Sequence, residues 1–292
     1  MAPNKNLLLK IRSHLPAFNP ALRKIAEYIL ENPKQVKLMR VKDLAGSCGV
    51  SEATVTRFVQ TIGLAGFQEL KIVLAEITSE KAPAQEFVYN DVTDGDSLET
   101  IVQTISFNLN RTVEDTKNLI EAEEMEKAVA ALRRARKIDI YGAGESFLSA
   151  EHARMRFYRI GKRCLTCSDP SQQSVSASLL TEKDVALGIS NSGSTVATVK
   201  ALKLARAGGA ATICITNHDL SPLTRFSDIK LFTSTQGSAF FQQSMVSWMA
   251  QMLIIDILYA RLAVTEFESS VKMIQKTAAS LLEQHQDNQA LF

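Results

Sequence analysis

The sequence predicts a small all-helical domain followed by an α/β domain built on a parallel five-stranded sheet. Three observations predict it. The chain has 292 residues, about twice the usual length of one domain, so two separate cores are expected. The first 80 residues read as helices throughout, whereas from residue 137 short apolar runs alternate with helical segments, the rhythm of a parallel sheet covered on both faces. Between the two, residues 79–97 (SEKAPAQEFVYNDVTDGDS) are polar and aperiodic and contain Pro83 and Gly95. They read as a linker joining a domain over 1–78 to one over 98–292.

Within the first domain the helical pattern stops at Asn32-Pro33, at Gly49 and at Gly63 to Gly66. In the second, helical stretches over 98–119 and 123–136 lead into five strand-like runs: Ile138 to Tyr141, Arg163 to Cys167, Val185 to Ile189, Ala211 to Ile215 and Ile229 to Phe232. Helices at Ser146 to Ile160 and Thr195 to Ala207 follow strands directly, and helices around 238–263 and 267–283 close the chain.

Composition narrows the function classes. A hydrophobic fraction of 46% and a charged fraction of 22% belong to a folding chain rather than a disordered one. Residues 1–80 hold 11 Lys and Arg against 7 Asp and Glu, a net +4 that leaves −2 for the remainder, and a modestly basic segment of this kind suits contact with phosphates. The opening residues lack the cleavage pattern of a signal peptide, so a cytoplasmic location is expected. The most apolar stretch, Ala239 to Ala263, is interrupted by Gln242, Gln243, Gln251, Asp256 and Arg261 and reads as a buried helix, not a membrane span. Four scattered cysteines make no disulfide framework, and Cys164-Leu-Thr-Cys167 lacks the second ligand pair of a zinc site. No metal or cofactor is expected.

Residues 41–71 (VKDLAGSCGVSEATVTRFVQTIGLAGFQELK) carry the most specific pattern. A helix with Leu44 and Ala45 ends at Gly49, whose freedom at positive φ suits a tight turn. Ser51 is a good N-cap for a second helix, on which Val55, Phe58, Val59 and Ile62 share one face. The opposite face presents Glu52, Ala53, Thr56, Arg57 and Gln60, with Thr54 at its margin. Arg57 can donate two hydrogen bonds to guanine and Gln60 can pair with adenine, while Ser51, Thr54 and Thr56 suit phosphates or thymine methyls. Arg40, Lys42 and Lys71 flank the unit for sequence-independent phosphate contacts on double-stranded DNA. This segment resembles the RpiR family of bacterial regulators, through Val50-Ser51-Glu52-Ala53-Thr54-Val55 with Arg57-Phe58, through Gly66 to Lys71, and through Arg23 to Leu30 with Asn32-Pro33. The resemblance implies a helix-turn-helix domain joined to a sugar isomerase (SIS) domain.

Two strand-to-helix junctions in the second domain are rich in Ser and Gly. Tyr141-Gly142-Ala143-Gly144-Glu145-Ser146 lacks the third glycine of a dinucleotide fingerprint, with Phe147 in its place. Ile189-Ser190-Asn191-Ser192-Gly193-Ser194-Thr195 packs four hydroxyls and an amide around one glycine. Hydroxyls and backbone N–H groups at a helix start can hold a phosphate without lysine or metal. No Gly-Lys-Ser/Thr loop for ATP or GTP occurs. The pair resembles the SIS fold, whose second loop reads Ser-x-Ser-Gly-x-Thr. That resemblance implies that Ser190, Ser192 and Thr195 grip a sugar phosphate, that Asn191 and Gly193 add amide or backbone donors, and that Gly144 and Ser146 complete the cradle. Glu145 departs from the small neutral residue commoner there and is expected to turn toward a sugar hydroxyl or a cation. Asn191 and Trp248 also differ from residues frequent in the family, so the identity of the sugar is not transferable.

The expected function is a transcription regulator, a dimer or tetramer whose DNA affinity responds to a phosphorylated sugar, and not an enzyme. Two alternatives remain open at this point: a sugar-phosphate isomerase using Glu145 and His152, and a regulator whose second domain only oligomerises it.

Overall fold

The computed structural model describes residues 7–79, 92, 95–235 and 243–286. The chain divides into two compact units, residues 1–90 and 91–292. Most of the segment read as a linker lies outside the described residues.

The first unit holds α1 (Leu7–His14), α2 (Pro20–Glu31), the one-turn α3 (Pro33–Val36), α4 (Val41–Cys48), α5 (Glu52–Thr61) and α6 (Phe67–Ser79). Asn19 starts α2 by accepting the N–H groups of Ala21 and Leu22 at 3.1 and 3.0 Å, and Pro20 supplies a first helical residue that needs no N–H partner. One apolar core joins all six helices, with Ile11, Ile25, Ile29, Leu44, Phe58 and Leu70 fully buried in it.

The second unit opens with α7 (Leu98–Leu119) and α8 (Ala122–Arg134) and then alternates β1 (Ile138–Tyr141), α9 (Glu145–Arg159), β2 (Cys164–Cys167), α10 (Pro170–Ser178), β3 (Val185–Ile189), α11 (Val196–Ala207), β4 (Ala211–Thr216) and β5 (Ile229–Phe232). It ends with α12 (Gln243–Thr265) and α13 (Phe267–Gln286). All pairings are parallel, in the order β2-β1-β3-β4-β5. Strand alternation sends Ile138, Ile140, Leu187 and Ile213 into a core with α8, α9 and α12, and Tyr141, Ala186 and Cys214 into a second core with α10 and α11.

The five strands and the helices between them match the expected order, and the differences have local causes. Helix α10 has no counterpart among the expected elements, because its polar run PSQQSVSAS has little apolar period and buries only Gln173, Ser176 and Ala177. Its start is set instead by Asp169, which accepts the N–H of Gln172 at 2.8 Å, and by Pro170. Helix α8 ends at Arg134 rather than Arg136, since Arg136 turns away to pair with the buried carboxylate of Asp184 at 2.8 Å. Helix α9 begins one residue early, at Glu145. The expected start of the late helix near 238 lies outside the described residues.

Val246–Thr265 of α12 is long and apolar enough to cross a membrane by length and composition. In this fold the helix packs against α7, α8 and α9, burying Ala250, Ile254, Ile255, Leu258 and Leu262. Its polar interruptions also find partners in the unit: Gln251 on Ser146 and Ser149, Asp256 on His152 and Arg156, and Arg261 on Glu126.

The four cysteines are free and buried. Burial pushes the Cys164 thiol up to about 12 and that of Cys214 to about 11, so both stay protonated and unreactive near neutral pH. Among the described residues no cluster of His, Cys, Asp or Glu has the arrangement of a metal site.

Candidate DNA-reading helix and anion-binding loops

In the first unit, Gly49 ends α4 at φ +62°, with nothing near the position a Cβ would take, so conformation rather than crowding selects glycine. The Val50 N–H then reaches back to the Ala45 carbonyl at 2.9 Å, which closes the turn. Ser51 caps α5 by accepting the Thr54 N–H at 3.2 Å. Val55, Phe58, Val59 and Ile62 are buried, and the Phe58 ring meets Phe18 edge-on with centroids 5.4 Å apart.

That anchoring leaves Glu52, Ala53, Thr56, Arg57 and Gln60 on the exposed side. The hydroxyls of this helix start are partly occupied: Ser51 and Thr54 hydrogen-bond each other at 2.8 Å, and Thr56 donates to the Glu52 carbonyl at 3.1 Å. Arg57 and Gln60 are exposed one turn apart and, with Glu52, are the long polar side chains on this face. Arg40 and Lys42 are exposed at the start of α4, whereas Lys71 on α6 is half-buried.

In the second unit the chain leaves β1 outward to β2 and then returns to β3 on the other side of β1. The sheet therefore has its switch point between β1 and β3, where loops diverge and open α/β sheets bind ligands. The register pairs Tyr141 with Gly188, so the two Ser/Gly-rich loops leave adjacent strands almost level. Gly144 takes φ +56° before the first turn of α9, and Gly193 takes φ +61°. A Cβ at Gly193 would overlap Ser221. Both backbones are closed to other residues at low cost.

The second loop is internally braced. Ser190 is buried and its hydroxyl meets that of Thr195 at 2.9 Å, while the Gly193 N–H donates to the Ser190 carbonyl at 3.1 Å. Asn191 is held on both sides: its carbonyl accepts the Asn217 N–H at 3.1 Å and the Thr216 hydroxyl at 3.2 Å, and its side-chain oxygen accepts the Thr235 hydroxyl at 3.2 Å. This orientation reserves the Asn191 NH2 group as donor. Ser192 is exposed, and its hydroxyl accepts the Ser194 N–H at 3.2 Å.

In the first loop, Ser146 is half-buried and its hydroxyl accepts from Gln251 of α12 at 3.2 Å. Gln251 was marked in the sequence only as an interruption of an apolar run. Gln173 of α10 was not singled out at all, yet its buried NH2 group donates to the Gly142 and Cys167 carbonyls, both at 2.9 Å, and ties the ends of β1 and β2 together. Glu145 is exposed in the first turn of α9, where the helix dipole favours its charge. His152 sits two turns further along and is bound to Asp256 at 2.9 Å, as is Arg156.

Two family models match separate parts of the chain. Residues 5–81 match the model of the helix-turn-helix domain, rpiR family, and residues 131–261 match the SIS domain model. An uncharacterised HTH-type transcriptional regulator of Caldanaerobacter subterraneus is 38% identical over 276 residues, covering 94% of this chain and 97% of the relative. The HTH-type transcriptional regulator HexR of Pseudomonas aeruginosa is 33% identical, covering 87% of this chain and 88% of its own. The solved structure of Vibrio vulnificus NanR complexed with ManNAc-6P superposes with a TM-score of 0.61 at 27% identity, covering 96% of this chain and 99% of that one. The chain belongs to the RpiR family of HTH-type transcriptional regulators, with a helical DNA-binding-type domain and a SIS domain.

Proposed function

We propose that residues 1–78 bind double-stranded operator DNA through α5, and that residues 98–292 take a phosphorylated sugar whose occupancy changes that affinity. The observation that carries the sensing half is the position of the two Ser/Gly-rich loops on adjacent strand ends at the switch point. Ser192, the Asn191 NH2 group and the N–H groups entering α11 meet a phosphate from one side. Gly144, Ser146 and the start of α9 meet it from the other. The likeness to NanR, solved with ManNAc-6P bound, supports the same ligand class. Ser190 and Thr195 contribute by holding the loop as well as by their hydroxyls. On α5, Arg57 and Gln60 read bases, while Ser51, Thr54 and Thr56 lie near the backbone with Arg40, Lys42 and Lys71.

The protein acts in the cytoplasm as a homo-oligomer, dimer or tetramer, so that two reading helices meet two half-sites. It does not catalyse isomerisation. His152 is committed to Asp256, and Glu145 lies seven residues before it, about 10 Å along the helix axis, too far for both to work on neighbouring atoms of one sugar.

A thermal-shift screen of phosphosugars against their free sugars tests this reading. One phosphosugar should raise the melting temperature, by mass action on the order of 3 kcal/mol at a hundredfold excess over Kd, and its free sugar should not. No shift with any phosphosugar would reduce the second domain to an oligomerisation module.

A further inference from the structure

We infer that Thr116 of α7 is the residue through which occupancy of the β3–α11 loop is passed to α7, the helix at which the chain enters the second unit from the DNA-binding unit. The inference rests on the reading of that loop as the phosphosugar site and assigns its regulation.

The path has three steps, two made by hydrogen bonds and one by a peptide bond. Asn191, inside the loop, has its side-chain oxygen held by the Thr235 hydroxyl at 3.2 Å. Thr235 is joined by a peptide bond to Ser234. Both backbone groups of Ser234 are held by one side chain, for the Thr116 hydroxyl accepts its N–H at 3.1 Å and donates to its carbonyl at 3.3 Å. Thr116 and Ser234 are buried, so water does not substitute for either bond.

A second link starts at the β1–α9 loop and reaches α12, the helix packed on α7. Gln251 of α12 donates to Ser146 at 3.2 Å and accepts from Ser149 at 2.6 Å, and α12 packs along α7. The β3–α11 loop is thus tied to α7 and the start of α9 to α12 by hydrogen bonds, and α7 and α12 pack on each other.

The buried face of α7 is polar, a character it shares in the unit with the short α10. It consists of Asn108, Thr112, Asp115 and Thr116, whereas α8 buries Met125, Ala128, Val129 and Leu132, and α12 buries mainly Ile, Leu and Ala beside Ser247 and Gln251. The pair of hydrogen bonds from Thr116 to Ser234 fixes one register of α7 against the segment that follows β5. Coupling between sites needs an element with discrete arrangements that both sites bias, and α7 has that character. Phosphate drawn to the Asn191 NH2 group shifts the amide, Thr235 follows its acceptor, and Ser234 carries the shift to Thr116.

Hydrogen exchange on the full-length protein tests this, with inorganic phosphate as probe and chloride at equal ionic strength as control. In the native chain phosphate should slow exchange in peptides covering 186–200 and also in those covering 105–119. In Thr116→Val, nearly the same shape without the hydroxyl, protection at 186–200 should persist while the response of 105–119 falls severalfold. Thr116→Ser, which keeps the hydroxyl, should restore it, and a loss caused by mere repacking would not be rescued. A full α7 response in Thr116→Val overturns the inference, as does protection confined to 186–200 in the native chain. No protection at either place in the native chain overturns the phosphosugar site itself and this inference with it.

Discussion

The two units present their functional groups in opposite ways. Helix α5 is fixed from behind by Val55, Phe58, Val59 and Ile62, and its outward side chains Arg57 and Gln60 are exposed and outside that core. In the β3–α11 loop the groups that would meet a ligand also hold the loop together: Ser190 on Thr195, Asn191 on Thr216, Asn217 and Thr235, and Ser192 on Ser194. A reading surface must yield to DNA sequence, so its chemistry is separable from its scaffold. A phosphate cradle must be formed before the ligand arrives, so its chemistry is its scaffold.

Substitutions can break or sharpen that contrast. The largest effect is expected from Gly193→Ala, which forces a side chain into φ +61° and against Ser221. It should destabilise the second unit by on the order of 3 kcal/mol and abolish ligand-induced stabilisation, as read by thermal melting with and without a phosphosugar. Arg57→Ala should weaken operator binding by about 2 kcal/mol while leaving melting temperature and ligand binding unchanged. A fall in melting temperature for that variant would show the reading face to be part of the fold. Ser51→Ala lies between the two kinds of site, since the hydroxyl caps α5 at Thr54. It should cost the first unit about 1 kcal/mol of stability and reduce DNA affinity alongside, measured by denaturant unfolding and fluorescence anisotropy.

The smallest effect is one of pH. Burial raises the proton affinity of Asp184, but hydrogen bonds from Arg136 and from the Thr181 N–H and hydroxyl outweigh it and hold the carboxyl below its ordinary value. A depressed carboxylate stabilises the fold fully above its unfolded pKa and loses that contribution as pH falls through the native one. The melting temperature of the second unit should therefore decline below about pH 4, and Asp184→Asn should be less stable at neutral pH but flatter on acidification.

Most of the architecture was legible because periodicity carries it. The five strands stand out as short apolar runs between helical segments, with β1 and β3 buried along their whole length, and the turn into α5 is written in Gly49 and Ser51. The reading face of α5 followed from the same period, as the complement of its buried side. What was not legible depended on contacts between distant segments. Gln251 is 105 residues from Ser146, and Thr235 is 44 from Asn191. In one dimension a glutamine inside an apolar helix is only an irregularity. Helix α10 escaped notice because Gln173 and Ser176 are buried by their hydrogen bonds rather than by hydrophobicity. In the sequence the loop hydroxyls look alike, whereas the fold pairs Ser190 with Thr195 and leaves Ser192 exposed.

The most direct test of the account is a titration of phosphosugar into the full-length protein bound to fluorescent DNA from its own upstream region, with native and Ser192→Ala chains compared. The account predicts that the native complex changes affinity as the phosphosugar is added, and that Ser192→Ala binds the DNA equally well without ligand but needs at least tenfold more phosphosugar, as expected from loss of one hydrogen bond to a charged group. Identical titration curves for the two proteins would contradict it and place the phosphate elsewhere.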